Sequence, residues 1–144
     1  MARKKKIRST KKHGEPFTYD NCEVTRFIDG DTFDCRISQG FHTYTIKRIR
    51  LFNCDAWESR TRDKEEKVKG LAAKARTKEL LNGQLFRLKS HGLGKFGRCL
   101  GEVFVQKNNK WFSIAEILIS EGHAYPYMGG NKKLARKKAS KKKS

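Results

Sequence analysis

Hydrophobic and polar residues alternate along the first half of the chain in a pattern that predicts three β-strands. Residues 22–28 and 31–37 alternate apolar and polar side chains, as on a strand with one buried face. Residues 41–52 form a longer segment rich in β-branched and aromatic residues, which favour strands. Asp29-Gly30 and the segment 38–40 are turn signals between these strands. The pattern therefore predicts a three-stranded meander.

After the third strand, apolar residues no longer occur at every second position but recur every three or four residues, as on one face of a helix. A helix is predicted over residues 65–82, and Asn82-Gly83 is a typical C-terminal stop for it. The apolar face of this helix would consist of Val68, Leu71, Ala72 and Ala75, and Leu80 and Leu81 would continue it approximately.

The rest of the chain adds two strands and a second helix. Strands are predicted over residues 84–90 and 98–106, separated by a glycine-rich loop. Ser113 and Glu116 form a capping-box pattern that predicts a second helix, which Gly122 would end. Five strands with a helix between the third and fourth indicate a mainly β fold with α (α+β), a five-stranded OB-fold barrel with two helices.

Isolated aromatic residues on or near the predicted strands are interpreted as side chains of the barrel interior. Phe41, Tyr44 and Phe104 alternate with polar residues and are predicted to lie in the core. Trp111 is predicted to plug the barrel rather than to stack on a nucleic-acid base.

The net charge of +19 is concentrated at the two ends of the chain. Residues 1–14 and 129–144 carry 15 of the 34 Lys and Arg, and residues 15–128, the predicted barrel domain, have a net charge near +4. Concentrated like charges predict disordered basic tails that bind a polyanion. A localisation signal, a solubilising end and an anionic membrane surface are alternatives, although neither tail has an apolar face that would insert into a membrane.

The chain has no apolar run that approaches the length of a membrane span. Its N-terminus is basic but lacks the apolar core of a signal peptide, which predicts an intracellular protein. The four cysteines are widely spaced and form no CxxC pair, which argues against a zinc ribbon and predicts reduced thiols.

Three segments carry charged residues that a simple strand or core would not need. They are Asp29-Gly30-Asp31-Thr32, the segment 50–58, and Lys95-Phe96-Gly97-Arg98. Carboxylates at strand ends suit a hard divalent cation, and nearby arginines suit a phosphate. Each segment taken alone also fits an ordinary turn or a surface ion pair.

Together the three segments, in this order, resemble the thermonuclease, or staphylococcal-nuclease-like, family. The resemblance runs from about Cys22 to Tyr127 and consists of a DGDT motif, an R-x4-D-x2-E motif and a YGR-like box. It implies the same barrel and a metal-dependent endonuclease that hydrolyses phosphodiester bonds of DNA or RNA with low sequence specificity. The products would carry 3′-phosphate ends, and the cofactor would be Ca²⁺, with Mg²⁺ or another hard divalent cation as the alternative.

The resemblance also implies a role for each matching residue. Asp31, Asp55 and the backbone carbonyl of Ala56 would hold the cation, and Thr32 would support the metal loop. Glu58 would position or activate the attacking water, while Arg50 and Arg98 would contact the scissile phosphate. Contacts to the bound strand would come from Lys95, Tyr125 and Tyr127, although core or rim packing is an equal alternative for the two tyrosines.

Two departures from the family pattern fall close to these residues. Trp57 stands where the family usually has a proline, so the placing of Glu58 loses a fixed backbone angle. Phe96 stands where the family has a tyrosine, which removes a hydroxyl group.

The alternative to a nuclease is a non-catalytic nucleic-acid-binding OB module or a basic packaging protein. A pure binder has no need for Asp31, Asp55 and Glu58, because acids in a phosphate-binding cleft repel the ligand. The expected partner is DNA or RNA in either case. No membrane and no obligate protein partner are inferred, and a monomer is expected.

Overall fold

The computed structural model describes residues 16–93 and 97–126. Both predicted basic tails, together with Lys95, Phe96 and Tyr127, lie outside this range. The elements, in chain order, are β1 (Phe17–Asp29), β2 (Thr32–Ser38), β3 (Tyr44–Leu51), β4 (Cys54–Ala56), α1 (Lys64–Leu81), β5 (Phe86–Leu93), β6 (Cys99–Lys107), β7 (Lys110–Ser113), α2 (Ile114–Ser120) and β8 (Ala124–Pro126).

Five of the strands close into a barrel, as the sequence predicts. The sheet order is β3-β2-β1-β5-β6-β7, and a parallel pairing of β3 with β6 closes the ring. The remaining pairs of the barrel are antiparallel, so the barrel is mixed. Two short strands that the sequence pattern does not predict, β4 and β8, pair with each other beside the barrel.

The interior is filled by apolar side chains from alternate positions of the barrel strands. Phe33 of β2 and Phe86 of β5 meet edge to face with ring centroids 6.3 Å apart, and both are fully buried. The cysteines are also buried, and all four are free thiols, as predicted.

Helix α1 begins after Asp63, whose carboxylate accepts hydrogen bonds from the backbone N–H groups of Glu65 and Glu66. The predicted apolar face of α1 is confirmed at Leu80 and Leu81, which are buried, but is wrong earlier in the helix, where Val68 is 68% exposed and Leu71 is 49% exposed. The buried positions in that part of the helix are instead Gly70, Ala73 and Thr77.

Small residues face inward on α1 because two loops pass close to it. A β-carbon added to Gly70 would overlap the backbone carbonyl of Glu58, and one added to Gly30 would lie 2.9 Å from the β-carbon of Ala73. The hydroxyl group of Thr77 donates a 2.7 Å hydrogen bond to the carbonyl of Gly30. The helix thus holds the β1–β2 turn and the loop at Glu58 in contact with one rigid element.

Several aromatic positions also differ from the predicted interior. Phe41 is fully exposed in the β2–β3 connection, and Tyr44 at the start of β3 is 48% exposed. Trp111 does not plug the barrel, because it lies on β7 and is 40% exposed. Strand β7 continues the sheet past β6 instead of closing the ring, and Trp111 pairs with the exposed Gln106 of β6, so it lies on the outer face of the sheet.

No helix in the described ranges is long and apolar enough to span a membrane.

We expect Gly70→Ala to lower the free energy of unfolding by about 1–3 kcal/mol, because the new methyl group would be forced against the backbone at Glu58. An alanine in place of a helical glycine ordinarily adds about 0.5–1 kcal/mol, so the expected sign is reversed. Urea unfolding monitored by circular dichroism would measure it. The control is Ala72→Gly at an exposed position of α1, which should cost about 1 kcal/mol through helix propensity alone. A higher midpoint for Gly70→Ala would contradict the close approach of α1.

Candidate active site

The site forms at one end of the barrel, where the β1–β2 turn meets the end of β3. The pairing of β2 with β3 sets Thr32 directly opposite Arg50. The backbone N–H of Leu51 donates a 2.8 Å hydrogen bond to the carbonyl of Asp31. Residues separated by almost twenty positions in the chain are therefore brought together by strand register.

The guanidinium group of Arg50 bridges two buried carboxylates. Its Nη1 lies 3.0 Å from Oδ2 of Asp31, and its Nη2 lies 2.9 Å from Oδ1 of Asp55. Nη1 also donates to the backbone carbonyls of Leu51 and Cys54, at 3.2 and 2.8 Å. Arg50, Asp31 and Asp55 are all nine-tenths or more buried, so the three charges form an ionic cluster with a net charge of −1.

Further donors surround the two carboxylates. The Thr32 hydroxyl donates to Oδ1 of Asp31 at 2.9 Å, and the backbone N–H of Ala56 donates to Oδ2 of Asp31 at 2.8 Å. The phenolic hydroxyl of Tyr125 donates to Oδ2 of Asp55 at 3.0 Å. Every oxygen of the two carboxylates thus accepts a hydrogen bond, which fixes their orientation.

One arginine does not fully compensate two buried carboxylates. Burial, together with the smaller effect of the neighbouring charge of Asp55, raises the pKa of Asp31 to about 6. The charge of Arg50 and the hydrogen bonds from Ala56 and Thr32 oppose this rise but do not cancel it. The ionised form of the cluster is therefore left with excess negative charge.

This donor set is suited to a hard divalent cation. Two carboxylates with excess negative charge offer the oxygen ligands that calcium and magnesium prefer. Within residues 16–93 and 97–126, no three acidic, histidine or cysteine side chains are grouped as cation ligands. Backbone carbonyls, side-chain amide oxygens and water are further oxygen ligands that calcium accepts.

Glu58 is exposed two residues after the β4 strand. Its position is fixed through the backbone of the next residue, because the N–H and the hydroxyl of Ser59 both donate to Oδ1 of Asp29. Asp29 is the last residue of β1, so the Glu58 loop is tied to the turn that carries Asp31. The loop that carries this exposed glutamate is thereby joined to the turn that carries Asp31.

Arg98 immediately precedes β6 and is half-buried. The parallel pairing of β3 with β6 places Arg50 opposite Leu100, two residues from Arg98. The topology therefore brings both arginines to the same end of the barrel. Lys95 lies outside the described residues, so its role stays a prediction.

Residues 48–143, two thirds of the chain, match the model of a protein family described as staphylococcal nuclease homologue. The chain belongs to this family. No match was found among the curated proteins. Membership in the staphylococcal nuclease homologue family supports a nuclease-type activity and confirms the fold, which the barrel shows independently.

The family match and the geometry of the site complement each other. Arg50, Asp55, Glu58 and Arg98 lie inside the matched range, whereas Asp31 lies before it. The structure nevertheless sets Asp31 within 3.0 Å of Arg50, so the DGDT motif belongs to the same cluster.

The side chain of Tyr125 lies inside the site rather than at its rim. Its ring is 1% exposed, which favours the packing alternative over stacking on a base. Its hydrogen bond to Asp55 is a contact that sequence reasoning missed, because it depends on the pairing of two three-residue strands, β4 and β8. The Ser59–Asp29 and Thr77–Gly30 bonds were missed for a similar reason, since a serine or threonine carries no signal of a distant partner.

We expect Asp31→Asn to stabilise the protein in chelator at pH 7, by an amount on the order of 2 kcal/mol. The pKa of Asp31 is raised from its usual 3.8, so the folded state binds the proton more tightly than the unfolded state. That contribution to stability is complete below about pH 4 and is lost as the pH rises through about 6. The asparagine avoids this loss, so the gain should vanish toward pH 4 in urea unfolding measured across this range.

The matched control is Asp34→Asn on the outer face of the barrel. Its hydrogen bond from Arg48 lowers the pKa of Asp34, so removing the charge should reduce stability at pH 7, by up to about 1 kcal/mol. If Asp31→Asn lowered the free energy of unfolding at every pH, the charge of Arg50 would be enough to balance both carboxylates. That outcome would contradict the excess negative charge of the cluster.

Proposed function

We propose that the chain is a calcium-dependent phosphodiesterase that cleaves DNA or RNA internally, with low sequence specificity. The observation that carries the proposal is the buried Asp31–Arg50–Asp55 cluster, with Glu58 and Arg98 brought to the same end of the barrel. Such a cluster costs free energy to bury and is not needed to hold a barrel together. The family match supports the same class of activity.

Asp31, Asp55 and the backbone carbonyl of Ala56 would hold the cation. When bound, a divalent cation supplies positive charge to a phosphoryl oxygen and helps to orient the nucleophile. The hydrogen bonds from Thr32 and Tyr125 fix the orientation of the two carboxylates, which supports a role for them as preformed ligands.

The chain's own residues account for the remaining steps of hydrolysis. Glu58 accepts a proton from the attacking water as the new P–O bond forms. The bond to the 5′ oxygen breaks, the leaving oxygen takes a proton from solvent, and a 3′-phosphate and a 5′-hydroxyl result. Arg50 and Arg98 stabilise the charge that develops on the phosphoryl oxygens. Arg50 has five N–H donors and four acceptor groups around it, so it retains capacity for a phosphate oxygen.

The test is cleavage of end-labelled single-stranded DNA and RNA in calcium, in magnesium and in excess chelator. We expect cation-dependent shortening that chelator abolishes, with 3′-phosphate ends identified by mass spectrometry. Glu58→Gln should slow cleavage by about 10²–10⁴-fold and Arg98→Ala by about 10²–10³-fold. Matched controls are Glu65→Gln and Arg62→Ala, which change exposed residues of the same charge near α1 and should cut like the parent.

Two outcomes would contradict the proposal. If Glu58→Gln and Arg98→Ala both cut as fast as the parent, these residues are not the catalytic groups. If the protein binds strands in a salt-sensitive manner and shortens none under any cation, it is a binding module, and Trp57 and Phe96 are the first residues to examine.

A further inference from the structure

The turn between β2 and β3 holds a phenylalanine entirely in solvent on a strained backbone. Phe41 is 100% exposed, and Phe41 and His42 have φ angles of 52° and 57°. The backbone N–H of Thr43 donates a 2.9 Å hydrogen bond to the carbonyl of Gly40, as in a two-residue type I′ turn. Asparagine and glycine tolerate this left-handed conformation, whereas a phenylalanine is strained in it. A fully exposed ring has no packing to offset the strain, so stability does not explain this residue.

Phe41 is the outermost residue of an exposed apolar surface. Tyr44 and Ile46 follow it on the outward face of β3 and are 48% and 66% exposed. Exposed apolar side chains that lie together mark a surface that meets a membrane or another macromolecule. Residues 37–46, which carry this surface, are called the hairpin tip below.

The charges near the hairpin tip lie behind it rather than on it. Residues 37–46 contain no Lys, Arg, Asp or Glu, and the segment is bounded by Arg36 on β2 and Lys47 on β3. The guanidinium carbon of Arg36 lies 3.8 Å from the ring centroid of Tyr44, and its Nη1 lies 3.3 Å from Oε1 of Glu23. An uncharged tip, then a tyrosine, then cations is the order found in a segment that enters the surface layer of a bilayer.

This order of residues favours a lipid surface over a nucleic acid. A strand that stacks a base on an aromatic ring also needs cations beside that ring to neutralise its phosphates. The hairpin tip has no lysine or arginine beside Phe41. Insertion into lipid instead requires an uncharged tip, because moving a charged group into hydrocarbon costs free energy.

The basic N-terminal segment joins the barrel at the same end. Strand β1 runs antiparallel to β2, and Cys22 pairs with Ile37, so the start of β1 lies at the barrel end that carries the hairpin tip. Phe17, the first residue of β1, is 47% exposed. Residues 1–12, which precede β1, carry seven Lys and Arg and no acid. An apolar insertion and a basic segment together bind an anionic membrane more firmly than either does alone.

We propose that the hairpin tip is a docking surface for an anionic membrane. Phe41 enters the boundary between the headgroups and the acyl chains, and Tyr44 lies at the level of the headgroups. Residues 1–12 add electrostatic attraction to the lipid phosphates.

Docking through the hairpin tip leaves the candidate active site accessible. The Thr32–Arg50 pair at the site and the Ser38–Tyr44 pair near the tip are six residues apart on each strand, which is about 20 Å along the hairpin. The site therefore lies at the end of the β2–β3 hairpin that is away from the membrane. Docking requires no cleavage, so this proposal does not depend on the proposed function.

The first test is co-sedimentation of the full chain with vesicles. The protein should bind vesicles of an equal mixture of phosphatidylserine and phosphatidylcholine, and bind vesicles of phosphatidylcholine alone at least about tenfold more weakly. Phe41→Asn should weaken binding to the anionic vesicles about tenfold. The same change should raise the Tm by about 2–4 °C, because asparagine tolerates the left-handed turn. The matched control is Val68→Asn, which changes an apolar residue of α1 that is 68% exposed and should bind vesicles like the parent.

The second test detects insertion directly. In Phe41→Trp, the tryptophan emission should move to shorter wavelength when anionic vesicles are added, because the new indole leaves water. The parent, which has only Trp57 and Trp111, should show no such change. Equal vesicle binding by the parent and Phe41→Asn, or an unchanged emission in Phe41→Trp, would overturn the proposal.

Other occupants of the hairpin tip give different results. If Phe41→Asn weakens binding of a single-stranded oligothymidine and leaves vesicle binding unchanged, the tip is a nucleic-acid contact and the proposal is wrong. If the parent self-associates in sedimentation velocity and Phe41→Asn does not, with vesicle binding again unchanged, the tip is an interface between copies of the chain and the proposal is also wrong. Vesicle binding that depends on Phe41 supports the proposal whether or not the protein cleaves nucleic acid.

Discussion

The guanidinium group of Arg50, held between two buried carboxylates, is the interaction on which the site depends. Burying a charge without a partner costs several kcal/mol, so Asp31 and Asp55 are tolerated only because the same arginine reaches both. The register of β2 against β3 delivers Arg50 to Asp31, and the short β4 strand delivers Asp55. The cluster nevertheless keeps a net negative charge, and this residual charge makes the end of a stable barrel suitable for a cation.

Helix α1 supplies the second constraint, which is mechanical rather than electrostatic. Its inward face carries the small residues Gly70 and Ala73, which allow two loops to approach the helix backbone closely. One loop carries Asp31 and the other carries Glu58, and the Ser59–Asp29 bond ties the two together. A change on this face would therefore move the buried carboxylate and the exposed one relative to each other without touching either directly.

The sequence predicts the barrel more reliably than it predicts which faces are buried. Strand alternation identifies the five barrel strands. The family motifs single out Asp31, Arg50 and Asp55, but only the structure shows that Arg50 bridges the two carboxylates. Periodicity failed on the first part of α1. Val68 and Leu71 have the helical spacing of a core face but are exposed, whereas the face that packs against the two loops needs small residues. Trp111 was misplaced for a related reason: hydrophobicity predicts burial, but it does not reveal that the strand bearing the residue lies outside the closed ring.

Trp57 shows how packing replaces a constraint that the family usually obtains from a proline ring. Its indole lies edge-on to Tyr125, with ring centroids 5.5 Å apart, and the ammonium of Lys69 lies 4.6 Å above it. Its backbone N–H reaches the carbonyl of His123, which continues the β4–β8 ladder by one residue. The segment between Asp55 and Glu58 is thus held by a ladder and a buried ring instead of a fixed backbone angle. Because Tyr125 also donates to Asp55, the same packing that positions the Glu58 loop orients a carboxylate of the buried cluster.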